Sequence, residues 1–206
     1  MLAISRHPLV RERLGRLRAT ETPPREFRAL VHDLALMLLL DATADLRLAP
    51  YPLQTPLGAA EGERLAETVA FVLILRAGLG MVGAAQQLFP DAPIWHLGLY
   101  RDEDSLKPVE YYNRLARFAP CDRAYILDPM LATGGSATAA IALLHDLGMT
   151  RVGLVHVIAA PEGIRAVEAA YPDVAIHVAA VDERLNDHGF IVPGLGDAGD
   201  RQFGTR

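Results

Sequence analysis

From residue 69 onward, short apolar runs alternate with stretches in which apolar residues recur every three or four positions. The runs are Val69 to Leu75, Ile94 to Leu99, Ala124 to Leu127, Val152 to Ala159 and Val174 to Val181. Between them, Met81, Val82, Ala85 and Leu88 mark one helical face. Ala137, Ile141, Leu144 and Leu147 mark another, closed by Gly148, and a further helix opens at Pro161. Strands that are apolar on both faces must be covered on both faces, so the pattern predicts an α/β fold, a parallel sheet flanked by helices. Ligands of such sheets bind beyond the carboxyl ends of the strands. The unusual sequences of this chain fall at those ends.

Upstream, Thr22 followed by Pro23 predicts a helix cap with proline at the first helical position, and Phe27, Leu30, Val31, Leu34 and Leu38 continue one face. Past Leu34 this helix is apolar nearly all round. Such helices lie between layers or at a subunit contact, so a homodimer or higher homo-oligomer is expected. There is no internal repeat, low-complexity tract or dividing linker. Residues 1–206 are therefore expected to form a single domain, with an α/β core over 68–181 and a glycine-rich tail over 182–206.

Composition narrows the function classes. The 206 residues are 51% hydrophobic and 22% charged, a balance typical of a globular chain large enough to bury a core without disulfides. A net charge of −5 speaks against a nucleic-acid partner, although a small anionic substrate needs only local positive charge. The apolar run Leu34 to Leu40 is far short of the ~20 residues of a membrane span, and no signal-like segment follows the first charges. Cys121 has no cysteine partner and no metal-ligand spacing, so a reducing, cytoplasmic setting is expected.

Three loops carry the candidate chemistry. The first, Asp128-Pro129-Met130-Leu131-Ala132-Thr133-Gly134-Gly135-Ser136, leaves a buried strand and opens a helix. Paired glycines let several N–H groups converge, the helix start adds partial positive charge, and Thr133 and Ser136 add hydroxyls, which together make a phosphate cradle. Asp128 is an acceptor that suits a pair of ribose hydroxyls. A plain helix cap at Ser136 would explain the serine but not the aspartate, the threonine and both glycines. This stretch resembles the phosphoribosyl pyrophosphate (PRPP) signature of the type I phosphoribosyltransferases, in the form carried by their uracil branch, where a proline follows the first acid. The resemblance extends from His7-Pro8-Leu9-Val10, through Asp41-Ala42-Thr43-Ala44-Asp45-Leu46, to Phe203-Gly204-Thr205. It implies a type I phosphoribosyltransferase-like fold and the transfer of the phosphoribosyl group of PRPP to uracil, giving UMP and pyrophosphate. Two departures are Asp41, where relatives commonly have Glu, and Leu73, where they commonly have Pro.

The second loop, Arg76-Ala77-Gly78-Leu79-Gly80-Met81-Val82-Gly83, contains the spacing G-x-G-x-x-G, with Asp102 about 20 residues on, as in dinucleotide-binding folds. A nicotinamide-dependent oxidoreductase is therefore an alternative. It leaves the Gly134-Gly135 turn and the tail unexplained. The resemblance instead implies that Arg76, Ala77 and Gly78 hold pyrophosphate. It also implies that Arg101, at the start of Arg101-Asp102-Glu103-Asp104-Ser105-Leu106-Lys107-Pro108-Val109, meets the diphosphate while the rest of that segment covers the site.

The third loop is the tail from Asp182, which holds five glycines, Gly189, Gly194, Gly196, Gly199 and Gly204, and shows no helix or strand period. Ile191, Val192 and Phe203 predict docking rather than disorder. By resemblance, Ile191, Gly196, Asp197 and Ala198 contact uracil, with Asp197 also near PRPP or its magnesium. The donor and acceptor edge of uracil is a natural match for closely approaching backbone. The resemblance thus assigns catalysis to Arg76, Arg101, Asp128 and Asp197. It assigns PRPP binding to Arg76, Ala77, Gly78, Arg101, Asp197 and the run from Asp128 to Ser136. Mg2+ is expected to arrive mainly through PRPP, and GTP, which activates some members, is carried over as a candidate effector. Among the histidines, His156 and His177 are expected to be core residues with backbone partners, and His188 adjoins the base pocket. Trp95 is expected in the core. A PRPP sensor without catalysis is a third reading, against which the intact tail and both arginines weigh.

Overall fold

The computed structural model describes residues 1–101, 108–113, 115 and 121–205, without the side chains of Tyr100, Arg101 and Pro108. In chain order the elements are β1 (Leu2–Ile4), α1 (Pro8–Arg18), α2 (Pro24–Ala42), β2 (Leu48–Thr55), β3 (Gly58–Leu65), β4 (Val69–Leu75), a 3-10 turn (Ala77–Met81), α3 (Val82–Leu88), β5 (Ile94–Arg101) and β6 (Pro108–Asn113). Then follow β7 (Arg123–Leu127), β8 (Met130–Leu131), α4 (Gly135–Asp146), β9 (Val152–Ala159), α5 (Pro161–Ala170), β10 (Ala175–Val181), β11 (Arg184–Leu185), β12 (Ile191–Val192) and α6 (Ala198–Phe203).

The described residues form an eight-stranded sheet in the order β1-β10-β9-β7-β4-β5-β6, with β8 beside β9. Its pairs are parallel except β5 with β6, where the chain folds back along the edge. The expected parallel sheet is thus a mostly parallel one. Alternate residues of each strand enter different layers: Phe71, Leu73, Leu127 and Val155 face the cluster built with α1, α2 and α3, while Val72, Ile74, Ile126 and Leu154 face the cluster built with α4 and α5. Each such fully buried aliphatic side chain contributes about 1.5–3 kcal/mol.

Register places the chemistry. Leu73 pairs with Leu127, and Leu127 with Val155, so the residues that follow, Arg76, Asp128 and His156, emerge at one end of the sheet. The opposite end is closed by charge: the buried carboxylate of Glu67 lies among Arg47, Arg123 and Arg151, which hold its pKa down at about 2.

The apolar circumference of α2 is explained largely within the chain. Phe27, Val31, Leu34, Ala35 and Leu39 are fully buried between the sheet and the neighbouring helices, and Leu40 is exposed. Two expectations need correction. Helix α2 starts at Pro24, with Pro23 in the cap position, because Thr22 is drawn away by the bond from its hydroxyl to the Arg16 carbonyl, 2.6 Å. The tail is not devoid of regular structure: β11 pairs antiparallel with β12, and α6 follows.

Candidate active site

A cleft of about 520 Å3 opens beyond the carboxyl ends of β4, β7 and β9, within the size range of small-molecule sites. One wall is Asp128 with the run Met130 to Gly134 and Ser136, a second is Arg76 and Ala77, and a third comes from the tail through Ile191, Asp197 and Gly199. The three loops singled out in the sequence therefore meet around one space.

The phosphate-loop geometry follows from Gly134. It sits at the N-cap of α4 with φ of +84°, a conformation L side chains rarely adopt, and a Cβ there would lie 2.9 Å from the Gly163 carbonyl oxygen. The N-cap residue has no side chain to cap α4, and Ser136 lies inside its first turn rather than at the cap. The cap explanation of Ser136 is thereby removed; the Gly135 N–H reaches the Thr133 hydroxyl at 3.4 Å, and the other first-turn N–H groups of this twelve-residue helix point to a ligand. Gly163 was not visible as part of the site from sequence. It lets α5 pack directly beneath the loop, where a Cβ would meet the Ala132 carbonyl at 2.4 Å.

Behind the loop, Pro129 is buried, and its carbonyl accepts from Val157 and Ile158 N–H at 2.9 and 3.1 Å, tying the turn to β9. Asp128 faces the cleft beside this anchor. Burial pushes its carboxyl up to about 7, a bond from the Met130 N–H opposes the shift, and the charge of Asp197 adds to it. His156, also in the cleft wall, has its Nδ1 2.6 Å from the Asp128 carbonyl oxygen, and burial lowers its pKa to about 4. It is a core histidine with a backbone partner, as expected, and also a neighbour of the site. His177 is partly buried, with burial again lowering its pKa. Its Nδ1 has no hydrogen-bond partner among the described residues.

On the second wall, the peptide between Leu75 and Arg76 is cis. A Cβ at Gly78 would lie 2.7 Å from the Leu127 carbonyl oxygen, so the arginine loop rests directly on the strand that delivers Asp128. The Arg76 guanidinium is 58% exposed and lies 3.6 Å from Asp200. Arg101 ends β5 opposite Pro108; its side chain, and residues 102–107 of the expected cover, fall outside the described residues, while Pro108 and Val109 begin β6. Leu99 and Tyr111, on the two strands flanking that segment, line the cleft.

The tail is docked, as expected, though chiefly by arginines that sequence reading did not single out. Arg18 pairs with Asp182, which also accepts from Gly194 N–H at 2.8 Å. Arg201 donates to the carbonyls of Leu17 and Leu195, both 2.9 Å, and lies over the Phe27 ring. Ile191 is buried while Phe203 is 40% exposed. Asp197 caps α6 by accepting from Asp200 N–H at 3.0 Å. Ala198 is buried behind the wall, and Gly196 is exposed beside it. His188 is exposed and outside the cleft wall, whereas its neighbours Gly189 and Phe190 are in it.

A mostly parallel sheet with an uncapped helix start and an acidic strand end at its carboxyl edge is the architecture of the type I phosphoribosyltransferases. A hypoxanthine phosphoribosyltransferase of Staphylococcus aureus shares this fold at 12% identity, with a TM-score of 0.51 over 75% of this chain and 74% of that one. A protein from Aquifex aeolicus superimposes far more closely, with a TM-score of 0.93 and 39% identity over 98% of both chains. The family model for uracil phosphoribosyltransferase matches residues 4–205. Proteins named uracil phosphoribosyltransferase are 55% identical in Roseiflexus sp. (98% of this chain, 97% of that one) and 49% identical in Thermus thermophilus (97% of each). The chain belongs to the uracil phosphoribosyltransferase family.

Proposed function

We propose that this enzyme displaces pyrophosphate from the anomeric carbon of PRPP with a ring nitrogen of uracil, forming UMP. The observation that carries the reading is the meeting, in one cleft, of the uncapped start of α4, Asp128 and the docked tail. A ribosyl phosphate fits between them with its 5-phosphate on the N–H groups from Thr133 to Ser136 and its hydroxyls on Asp128. Uracil then sits against Ile191, Gly196, Asp197 and Ala198, where backbone groups match its edge. A base with the wrong exocyclic group would leave those partners unpaired.

The transition state resembles a ribosyl cation departing from a diphosphate, so catalysis is mainly positioning and charge stabilisation. Arg76, with Ala77 and Gly78, takes the leaving diphosphate, and Arg101 is assigned to the same group. Among the described residues there is no cluster of three or more acidic, histidine or cysteine side chains that could cage a metal. Two carboxylates, Asp128 and Asp197, do face the cleft closely enough for one to raise the pKa of the other. That donor set fits Mg2+ delivered with the diphosphate, since this ion binds through one or two carboxylates plus phosphate oxygens. When bound it neutralises charge on the leaving group.

Among the described residues no helix is long and apolar enough to cross a membrane. The exposed apolar side chains of Leu40, Leu48, Leu57 and Leu65 support a homo-oligomer. A cytoplasmic setting and activation by GTP rest on the reducing composition and the family resemblance respectively. The test is pyrophosphate release from PRPP and Mg2+ with uracil, hypoxanthine, orotate or cytosine. Release with uracil alone is expected; release with another base, or with none, would refute the assignment.

A further inference from the structure

The pyrophosphate loop and the uracil tail are joined by one buried side chain, Gln202 of α6. It is fully buried, and its amide nitrogen donates to the Ala77 carbonyl and to the Ala198 carbonyl, both at 3.0 Å. Only the nitrogen can serve two carbonyl acceptors, so these partners fix the orientation of the amide. Ala77 follows Arg76 in the diphosphate wall, and Ala198 follows Asp197 in the uracil wall. The remaining atom, Oε1, has no hydrogen-bond partner among the described residues. An apolar side chain would spare that oxygen but would take the donor from both carbonyls, so what the amide supplies here is the bridge between them. The loop is shaped around it: a Cβ on Gly80 would lie 1.7 Å from Oε1 and 2.8 Å from Cδ.

We propose that Gln202 is a positioning residue that couples the two half-sites, so that ordering of the Arg76–Gly80 loop by diphosphate sets the backbone around Ala198 for the base. The proposal rests on the assignment of diphosphate to the first wall and uracil to the second. The Gln202 amide touches neither ligand. It transmits a shift of one loop to the other through those two carbonyls, inside the exposed Arg76–Asp200 ion pair that also bridges the two walls.

Pyrophosphate with Mg2+ and uracil cannot react with each other, so both can be titrated together by calorimetry on the intact protein. In the wild type, pyrophosphate with Mg2+ should tighten uracil binding by about fivefold or more. In Gln202→Met, which keeps the volume and removes both donors, each ligand alone should bind within about threefold of wild type while the tightening falls below about twofold. Gly80→Ala displaces the amide from the opposite side and should give the same loss, which decides the matter if Gln202→Met does not fold. A purely structural role would weaken both ligands or lower the melting temperature without erasing the coupling. Tightening retained in a folded variant, or independent binding of the two ligands in the wild type, would overturn the coupling. A wild-type protein that binds neither ligand would instead overturn the functional assignment beneath it.

Discussion

The imidazole Nδ1 of His156 lies 2.6 Å from the backbone carbonyl oxygen of Asp128, beneath the carboxylate assigned to the ribose. A carbonyl can only accept, so Nδ1 carries a proton, and with burial lowering the pKa to about 4 the ring is neutral near pH 7 with that proton as its only one. Two groups shifted in opposite directions therefore meet where β9 passes the Asp128 turn.

Their contributions to stability have opposite slopes. Asp128, raised to about 7 by burial, contributes fully below its unfolded value near pH 4 and loses that contribution as pH rises through 7. His156 contributes fully above about pH 6.5, and its contribution is lost as pH falls to about 4. Asp128→Asn removes the first slope and leaves the second. Its stability relative to wild type should fall between pH 6.5 and 4, by at most about 3 kcal/mol, as read from denaturant melts at a series of pH values. A difference constant over that window would show that the carboxyl is not shifted.

The same shift should appear in substrate binding. Ribose hydroxyls donate hydrogen bonds, which favours the ionised form of Asp128, so the KM for PRPP should rise as pH falls below about 7. The limit is about tenfold per pH unit. Asp128→Asn should bind PRPP more weakly at pH 8 and show a flattened profile.

Gly134→Ala introduces a Cβ into a left-handed conformation, 2.9 Å from the Gly163 carbonyl. It should cost roughly 1–3 kcal/mol of stability and weaken PRPP more than uracil, because α5 prevents the loop from relaxing downward. Melting curves and the two KM values check this together.

Arg76→Ala separates catalysis from folding. The guanidinium is largely exposed, and its ion pair with Asp200 at 3.6 Å should be worth no more than about 1 kcal/mol to stability. Loss of a charge-stabilising group in the transition state should nevertheless lower kcat by about 100-fold or more. A variant with near-wild-type turnover would remove Arg76 from the diphosphate site.

The parts of this structure legible in the sequence were those with a strong local cause. Val152 to Ala159 is apolar but for His156, and it forms β9 over that same range. The turn from Asp128 to Ser136 was readable because its aspartate, threonine and paired glycines have no joint structural excuse. The hairpin of β2 and β3 gave no comparable signal: Pro50 and Pro52 interrupt it, and both strands are largely exposed, so no apolar alternation marks it. Helix α6 has six residues and follows an aspartate cap in a glycine-rich stretch, too short for a period to emerge. His156 and Gln202 were invisible as parts of the site because their partners are backbone carbonyls from distant segments, which only the fold brings near.

The most direct measurement is a crystal structure of the protein with UMP. The 5-phosphate should lie on the N–H groups from Thr133 to Ser136, the ribose hydroxyls on Asp128, and the pyrimidine edge against the backbone from Ile191 to Ala198. Nucleotide bound elsewhere, or a cleft left empty at saturating UMP, would contradict the account.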